Sequence, residues 1–229
     1  VDISHSYGSI TLRPGNPLQG QTIDIPGDIS SAAFFVAVAA AVPGSYVEVR
    51  NVGLNPTRTG FLDVLQEMGA DIDVVVESDF GEPQGRIIVR GRTLHGVIIG
   101  GSIIPRLIDE LPVLAVTAAL AQGTTVIKDA GELKVKETNR IRVLAEELGK
   151  LGVQVTEQPD GLIISGPTKW RSAVVDSHGD HRLAMALLAC SAVVDEDIHV
   201  INTECIDVSF PGFQDILGGL CAAEGEVLS

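Results

Sequence analysis

Cysteine is scarce: the 229 residues hold three, Cys190, Cys205 and Cys221, spaced without metal-ligand or redox regularity. That excludes a disulfide framework and fits packed thiols in a reducing, cytoplasmic setting. Long apolar runs are also missing. "SAAFFVAVAAAV" and "ELPVLAVTAALA" are too short for the roughly 20 residues a bilayer span requires, so they read as buried helices. Cationic surplus is absent too, because 16 Lys and Arg face 30 Asp and Glu and leave a formal charge of -14. Nucleic acid and anionic membranes are therefore excluded as main partners, and any anion bound here needs a local cationic site. There is no initiator Met at Val1 and no secretory signal architecture, which leads us to expect a piece of a longer protein.

What is present is a globular composition, 45% hydrophobic with 25 Gly and 11 Pro, enough to bury a core. It is organised as a repeat. Three segments start at Asp28, Asp109 and Asp180, run through an Ala-rich apolar stretch and continue into a β-branched strand. Each Asp is expected to be an N-cap, accepting from the free amides of the first helical turn. A second helical pattern follows each strand. In the first two, Leu62, Leu65 and Met68, and Ile141, Leu144 and Leu148, recur at helical spacing, with Gly69 and Gly149 expected as left-handed caps. Short strands then follow: "ADIDVVVE" with "GRIIVRG", and "VQVTEQ" with "GLIISG". The unit reads helix, strand, helix, strand, strand, about three times over. Because each leading helix is apolar almost all round, three buried helices should lie side by side. Their N-terminal ends, each carrying partial positive charge, would then converge on an anion site.

Two stretches carry chemistry. In "SHGDHRLAM" His181 and Arg182 fall in the first turn of a helix, where a cation is disfavoured by the dipole and something anionic should offset the cost. Arg holds carboxylates or phosphates with two prongs, and His can exchange a proton near neutral pH. In "KVKETNR" Lys136 and Arg140 are four apart and Glu137 is three before Arg140, so they can share a helix face and pair. A solvated salt-bridge patch would look the same, and spacing alone leaves both readings open.

Taken together, "PGDISSAAF", "NPTRTGFLDVLQEMGA", "IDELPVLAVTAA", "ELKVKETNRI" and "GDHRLAMAL" closely resemble, in order, the C-terminal half of the 5-enolpyruvylshikimate-3-phosphate synthase family, from about Gln21 to Leu220. The resemblance implies an α/β fold, an inside-out α/β barrel domain of about three βαβαββ repeats around buried parallel helices (the enolpyruvate transferase fold). It implies residues 1–26 as a terminal hairpin left from a preceding domain, and 27–229 as the enolpyruvyl transferase domain. The implied activity moves the enolpyruvyl group of phosphoenolpyruvate to the 5-hydroxyl of shikimate 3-phosphate and releases phosphate, with no cofactor or metal.

By motif, Asp109 matches the family's proton-accepting aspartate, and Glu132 and Lys136 match contacts to shikimate 3-phosphate. Glu137 matches the acid that protonates the methylene. Arg140, His181 and Arg182 match the phosphoenolpyruvate site. The chain departs from many members at Asn139, where they have Asp, and at Val208, where they have a basic residue. The resemblance also implies a partner, the N-terminal half of the same enzyme, without which this chain should be inactive. Two alternatives are a transferase acting on UDP-N-acetylglucosamine and a non-catalytic binding domain on the same fold.

Overall fold

The computed structural model describes residues 2–222 apart from 7, 16, 21 and 80. The expected start of the resemblance at Gln21, and the chain beyond residue 222, lie outside the described residues. A hairpin of β1 (Asp2–Ser6) and β2 (Ser9–Arg13) stands apart with every residue exposed. The first unit holds α1 (Ile29–Ala41), β3 (Tyr46–Gly53), α2 (Gly60–Glu67), β4 (Asp71–Ser78) and β5 (Gln84–Arg90). The second holds β6 (Ile98–Ile99), α3 (Leu111–Leu120), β7 (Gly123–Ile127), α4 (Arg140–Lys150), β8 (Gln154–Gln158) and β9 (Gly161–Gly166). The third holds β10 (Ala173–Asp176), α5 (His181–Ser191), β11 (Ile198–Ile201) and α6 (Phe213–Ala222).

The leading helices α1, α3 and α5 pack against one another and form the core. Their sequences make this possible: Ala is the best helix former, and small side chains let apolar helices approach on every side. Buried residues run right round α3, from Leu111 to Ala119, and each fully buried Leu or Val contributes about 1.5–3 kcal/mol. The one buried hydroxyl in α3, on Thr117, is satisfied by donating to the Val113 carbonyl at 3.0 Å.

A strand precedes each leading helix and pairs in parallel with the strand that follows it. The pairs are β6 with β7, β10 with β11, and in the first unit the single bridge Gly27 to Val52. The periodicity alone gives no sign of these leading strands, because segments of one to four residues are too short to show a period of two, but they are the first strand of the βαβαββ unit that the family resemblance implies. The closing hairpins then add antiparallel, in the orders β3-β5-β4 and β6-β7-β9-β8. Among the described residues the third unit has no such hairpin, so the repeat is complete twice and shortened once.

The repeat has a backbone signature. Asn51, at the register shift inside β3, and Asp129 and Asn202, just past β7 and β11, all adopt left-handed φ of 51°, 60° and 60°. Asn and Asp tolerate this region because their short polar side chains bond locally. Each kink sends the chain inward, where Leu54, Leu133 and Ile206 are buried a few residues later.

Two expectations about helix ends need correcting. Asp28 and Asp180 cap as expected, accepting from Ser31 N–H at 3.0 Å and from Arg182 and Leu183 N–H. Asp109 does not: the N-cap of α3 is Glu110, with no side-chain bond to the helix, and the Asp109 carboxylate turns outward to cations. Likewise Gly69 is left-handed at φ 98°, but Gly149 stays within α4 and Gly152 takes the left-handed position at φ 90°. The helix runs on past Gly149 to Lys150, which brings its C-cap residue Leu151 into the core beside Leu148. Among the described residues, no helix is long and apolar enough to cross a membrane.

Candidate active site

The N-terminal ends of the three buried helices meet, and the expected site residues gather there. Asp109, just before α3, receives Arg140 Nη1 at 3.3 Å, Lys136 Nζ at 3.6 Å and Arg182 Nη2 at 3.6 Å. Burial alone would push its carboxyl up, but Arg182, Lys136 and Arg140 together hold it below its ordinary value of 3.8. It therefore stands as a carboxylate ringed by three cations.

Arg140 is the most constrained of these residues. It is the first residue of α4, where the dipole disfavours a cation, and its side chain is 1% exposed. Its guanidinium offsets both costs with carboxylates on every edge. Nε and Nη2 donate to the two oxygens of Asp180 at 2.8 and 3.2 Å, Nη1 donates to Asp109, and Nη2 also donates to Glu137 at 2.5 Å. Asp180 is fully buried. Besides Arg140 it accepts from Thr138 Oγ1 at 3.2 Å and from the first amides of α5, so one carboxylate caps one helix and anchors the start of another. Asn139 is the N-cap of α4, its Oδ1 accepting from Arg142 N–H at 3.2 Å. Asn and Asp cap equally well, which accounts for that departure from the family pattern.

The other expected residues line the same mouth. Lys136 Nζ also donates to Glu132 at 2.7 Å, and that bond, with the Asp109 charge, holds its amine above the ordinary lysine value. Arg182 reaches the Asp109 carbonyl at 3.5 Å. His181 is pushed down, first by burial and then by the Arg182 charge, so it is a neutral imidazole near pH 7. Val208 is 91% exposed and meets none of the cluster.

Three residues were not foreseen. Glu110 is buried, accepts Ser30 Oγ–H at 2.5 Å, and Ser30 Oγ in turn accepts from Arg58 at 2.8 Å, joining α3 to α1. Burial raises the Glu110 carboxyl, opposed by Ser30 and by the Arg182 charge. A glutamate beside a helix start gives no sequence sign of being buried.

Chemically the cluster is a ring of cations already matched by carboxylates that differ in freedom. Asp180 cannot leave, whereas Glu132 and Glu137 are largely exposed and can yield to an incoming anion. A separate cavity of about 540 Å³ lies between α1, β3 and α6, lined by Phe35, Val47, Val49, Phe210 and Ile216. Its lining is mostly apolar, with Asp28, Glu48 and Arg50 among it, and contains none of the cluster. Among the described residues no group of three or more His, Cys, Asp and Glu is placed to hold a metal ion.

The family model for EPSP synthase (3-phosphoshikimate 1-carboxyvinyltransferase) matches residues 1–217. The curated 3-phosphoshikimate 1-carboxyvinyltransferase of Bacillus cytotoxicus is 51% identical over 93% of this chain and 50% of its own length. That of Alkaliphilus metalliredigens is 53% identical over 95% of this chain and 51% of its own. Among solved structures, EPSP synthase from Acinetobacter baumannii superposes with a TM-score of 0.91 at 38% identity, over 96% of this chain and 51% of that one. The enolpyruvyl transferase NikO from Streptomyces tendae shares the fold, at a TM-score of 0.66 and 17% identity over 86% of this chain and 44% of that one. The chain thus spans about half the length of the relatives it matches.

Two outcomes test the electrostatics. Arg140→Met, which strands Asp180 in the core, should lower stability by about 3–5 kcal/mol in urea unfolding, while Arg140→Met with Asp180→Asn should cost clearly less than the two single changes summed. Additive losses would show that the pair is not coupled. For Glu110 the folded carboxyl holds its proton above the ordinary value of 4.5, so the folded state binds more protons than the unfolded one. Stability is then lost as pH rises from about 4.5 through the folded value. Glu110→Gln should remove that loss, its urea midpoint gaining on wild type as pH rises toward 7; a constant gap would refute the assignment.

Proposed function

We propose, from the premise that the chain belongs to the EPSP synthase family, that it is the C-terminal half of a 3-phosphoshikimate 1-carboxyvinyltransferase and supplies that enzyme's proton-transfer groups. The observation that carries this reading is the meeting of Asp109, Lys136, Glu137, Arg140 and Arg182 at one point from two different units.

In the proposed reaction the 5-hydroxyl oxygen of shikimate 3-phosphate bonds to C2 of phosphoenolpyruvate while the methylene carbon gains a proton. The tetrahedral adduct then loses a proton from that carbon, and phosphate leaves with the C–O bond electrons. Asp109 accepts the hydroxyl proton as the new C–O bond forms; its low basicity suits a proton that becomes acidic only in the transition state. Lys136, paired with Asp109, fixes shikimate 3-phosphate. Arg140 and Arg182 meet the carboxylate and phosphate of phosphoenolpyruvate, as preorganised cations whose positions are held before substrate arrives. An anion that takes Glu137's place on Arg140 frees the Glu137 carboxyl, which in its protonated form gives the methylene carbon its proton and, as the carboxylate, takes a proton back from that carbon when phosphate leaves. His181, a neutral imidazole beside Arg182, donates or accepts a hydrogen bond there without adding charge.

The cluster lies open on one side, and we assign that side to the missing half. The solitary β1–β2 hairpin supports this, since its Ile3, Ile10 and Leu12 are 59%, 80% and 60% exposed and suit cover by further chain. The reading makes the protein a cytoplasmic enzyme with small anionic substrates and its own other half as partner. Phosphate release from the two substrates should be nil with this chain alone and return when the complementary half is added; full turnover by the lone chain would overturn the half-enzyme reading. In the reconstituted enzyme Glu137→Gln should lower kcat by about 10²–10⁴-fold with far smaller changes in KM.

A further inference from the structure

Glu147 is a buried acid that the proposed chemistry does not use. It lies on the inward face of α4 with Ile141, Leu144 and Leu148, its side chain 3% exposed. A carboxylate there is costly unless fully bonded. Its Oε1 and Oε2 accept from Lys150 Nζ at 2.8 and 2.7 Å, Oε2 accepts the Asp176 N–H at 2.9 Å, and Oε1 lies 3.0 Å from His178 Nε2. Two of these partners belong to the connection between β10 and α5. Burial would raise its carboxyl, but Lys150, the Asp176 amide and His178 outweigh that and hold it low.

That connection, Asp176 to Asp180, carries the site. His178 and Gly179 are both left-handed, at φ 53° and 75°, a tight reversal that a non-glycine residue resists. It is tied down by Asp176 Oδ1, which accepts from His178 N–H and Asn202 Nδ2, and by Ser177 Oγ, which donates to the Asn202 carbonyl and accepts from Gly179 N–H. It ends on Asp180, the partner of Arg140, and opens the helix bearing His181 and Arg182. Arg140 and Glu147 are seven residues apart on α4, hence on the same face. One grips the end of the connection through Asp180, the other its beginning through Asp176 and His178. Two grips from one rigid helix hold both ends of the connection and, with the ties to Asn202, fix the position and tilt of the α5 start.

We propose that Glu147 is a positioning residue for the phosphoenolpyruvate side of the site, acting with Arg140 as a two-point clamp on the turn that delivers Asp180, His181 and Arg182. This rests on the reading of Arg140 and Arg182 given under Proposed function.

The test uses this chain reconstituted with its complementary half. Glu147→Ala should lower kcat/KM for phosphoenolpyruvate by up to about 10²-fold, as expected when a reacting group is displaced by around 1 Å, while KM for shikimate 3-phosphate, set by Lys136 and Asp109, stays within about twofold. Glu147→Gln, which still accepts the Asp176 N–H, should recover part of the loss. His178→Ala, at a residue 39% exposed that opens no core cavity, should shift the same constant in the same direction by less, and decides the matter if Glu147→Ala does not fold. Equal changes in both KM values, or no change in either, would overturn the proposal. Amide exchange at Arg182 and Leu183, whose N–H groups donate to Asp180, is read on the chain itself: faster exchange in Glu147→Ala and His178→Ala supports the clamp, and unchanged exchange refutes it. That arm stands even if the wild-type reconstituted enzyme releases no phosphate, a result that would sink only the reading of the reaction.

Discussion

A guanidinium with 1% exposure against a carboxylate with none is the contact on which the rest of this structure depends. Burying either ion alone costs several kcal/mol, and burying both is tolerated only when the geometry is two-pronged and the remaining donors and acceptors are used. Arg140 and Asp180 meet those conditions. The guanidinium spends its leftover edges on Asp109 and Glu137, and the carboxylate spends its remaining capacity on Thr138 and the α5 amides. The pair joins the second unit to the third at the end where all the chemistry-bearing side chains sit. Its partners come from three helix starts, so shifting any one helix would break it.

This explains how a chain with a formal charge of -14 can build a place for anions. Most of the net charge lies outside this cluster, whose three cations and four carboxylates sum to only -1. Convergent helix N-termini and three cations, Lys136, Arg140 and Arg182, gather at one point, and the four carboxylates that face them are graded from immovable Asp180 to exposed Glu132, so an incoming anion can take the place of the freest. A site of this kind is preorganised without being a bare cluster of positive charge, which would repel itself in the empty protein.

Much of the fold was legible in the sequence because it is a repeat of apolar helices. Ala-rich stretches that are hydrophobic on all sides have few alternatives to burial, and the Leu62, Leu65, Met68 and Ile141, Leu144, Leu148 periods did become buried faces. What escaped were features decided by one residue or by distant partners. Asp109 and Glu110 are neighbours of equal charge, and only the tertiary packing shows that one faces cations and the other Ser30. Gly149 and Gly152 differ only in where packing lets α4 stop. Within "KVKETNR" a surface patch and a site were indistinguishable, because the residue that settles the matter, Asp180, lies 40 positions further on. Glu147 was invisible for the same reason: beside Lys150 in its own helix, its other two partners lie 29 and 31 residues away.

The claim that a buried Arg140 hub joins the second and third units is most directly tested by hydrogen exchange at its Nε–H, followed by nitrogen-resolved NMR on the intact chain. Arg142, two residues on in the same helix and 65% exposed, is the internal reference. The account predicts that the Arg140 Nε–H persists long after that of Arg142 has exchanged, since it is sealed against Asp180. Exchange of the two at the same rate would contradict it.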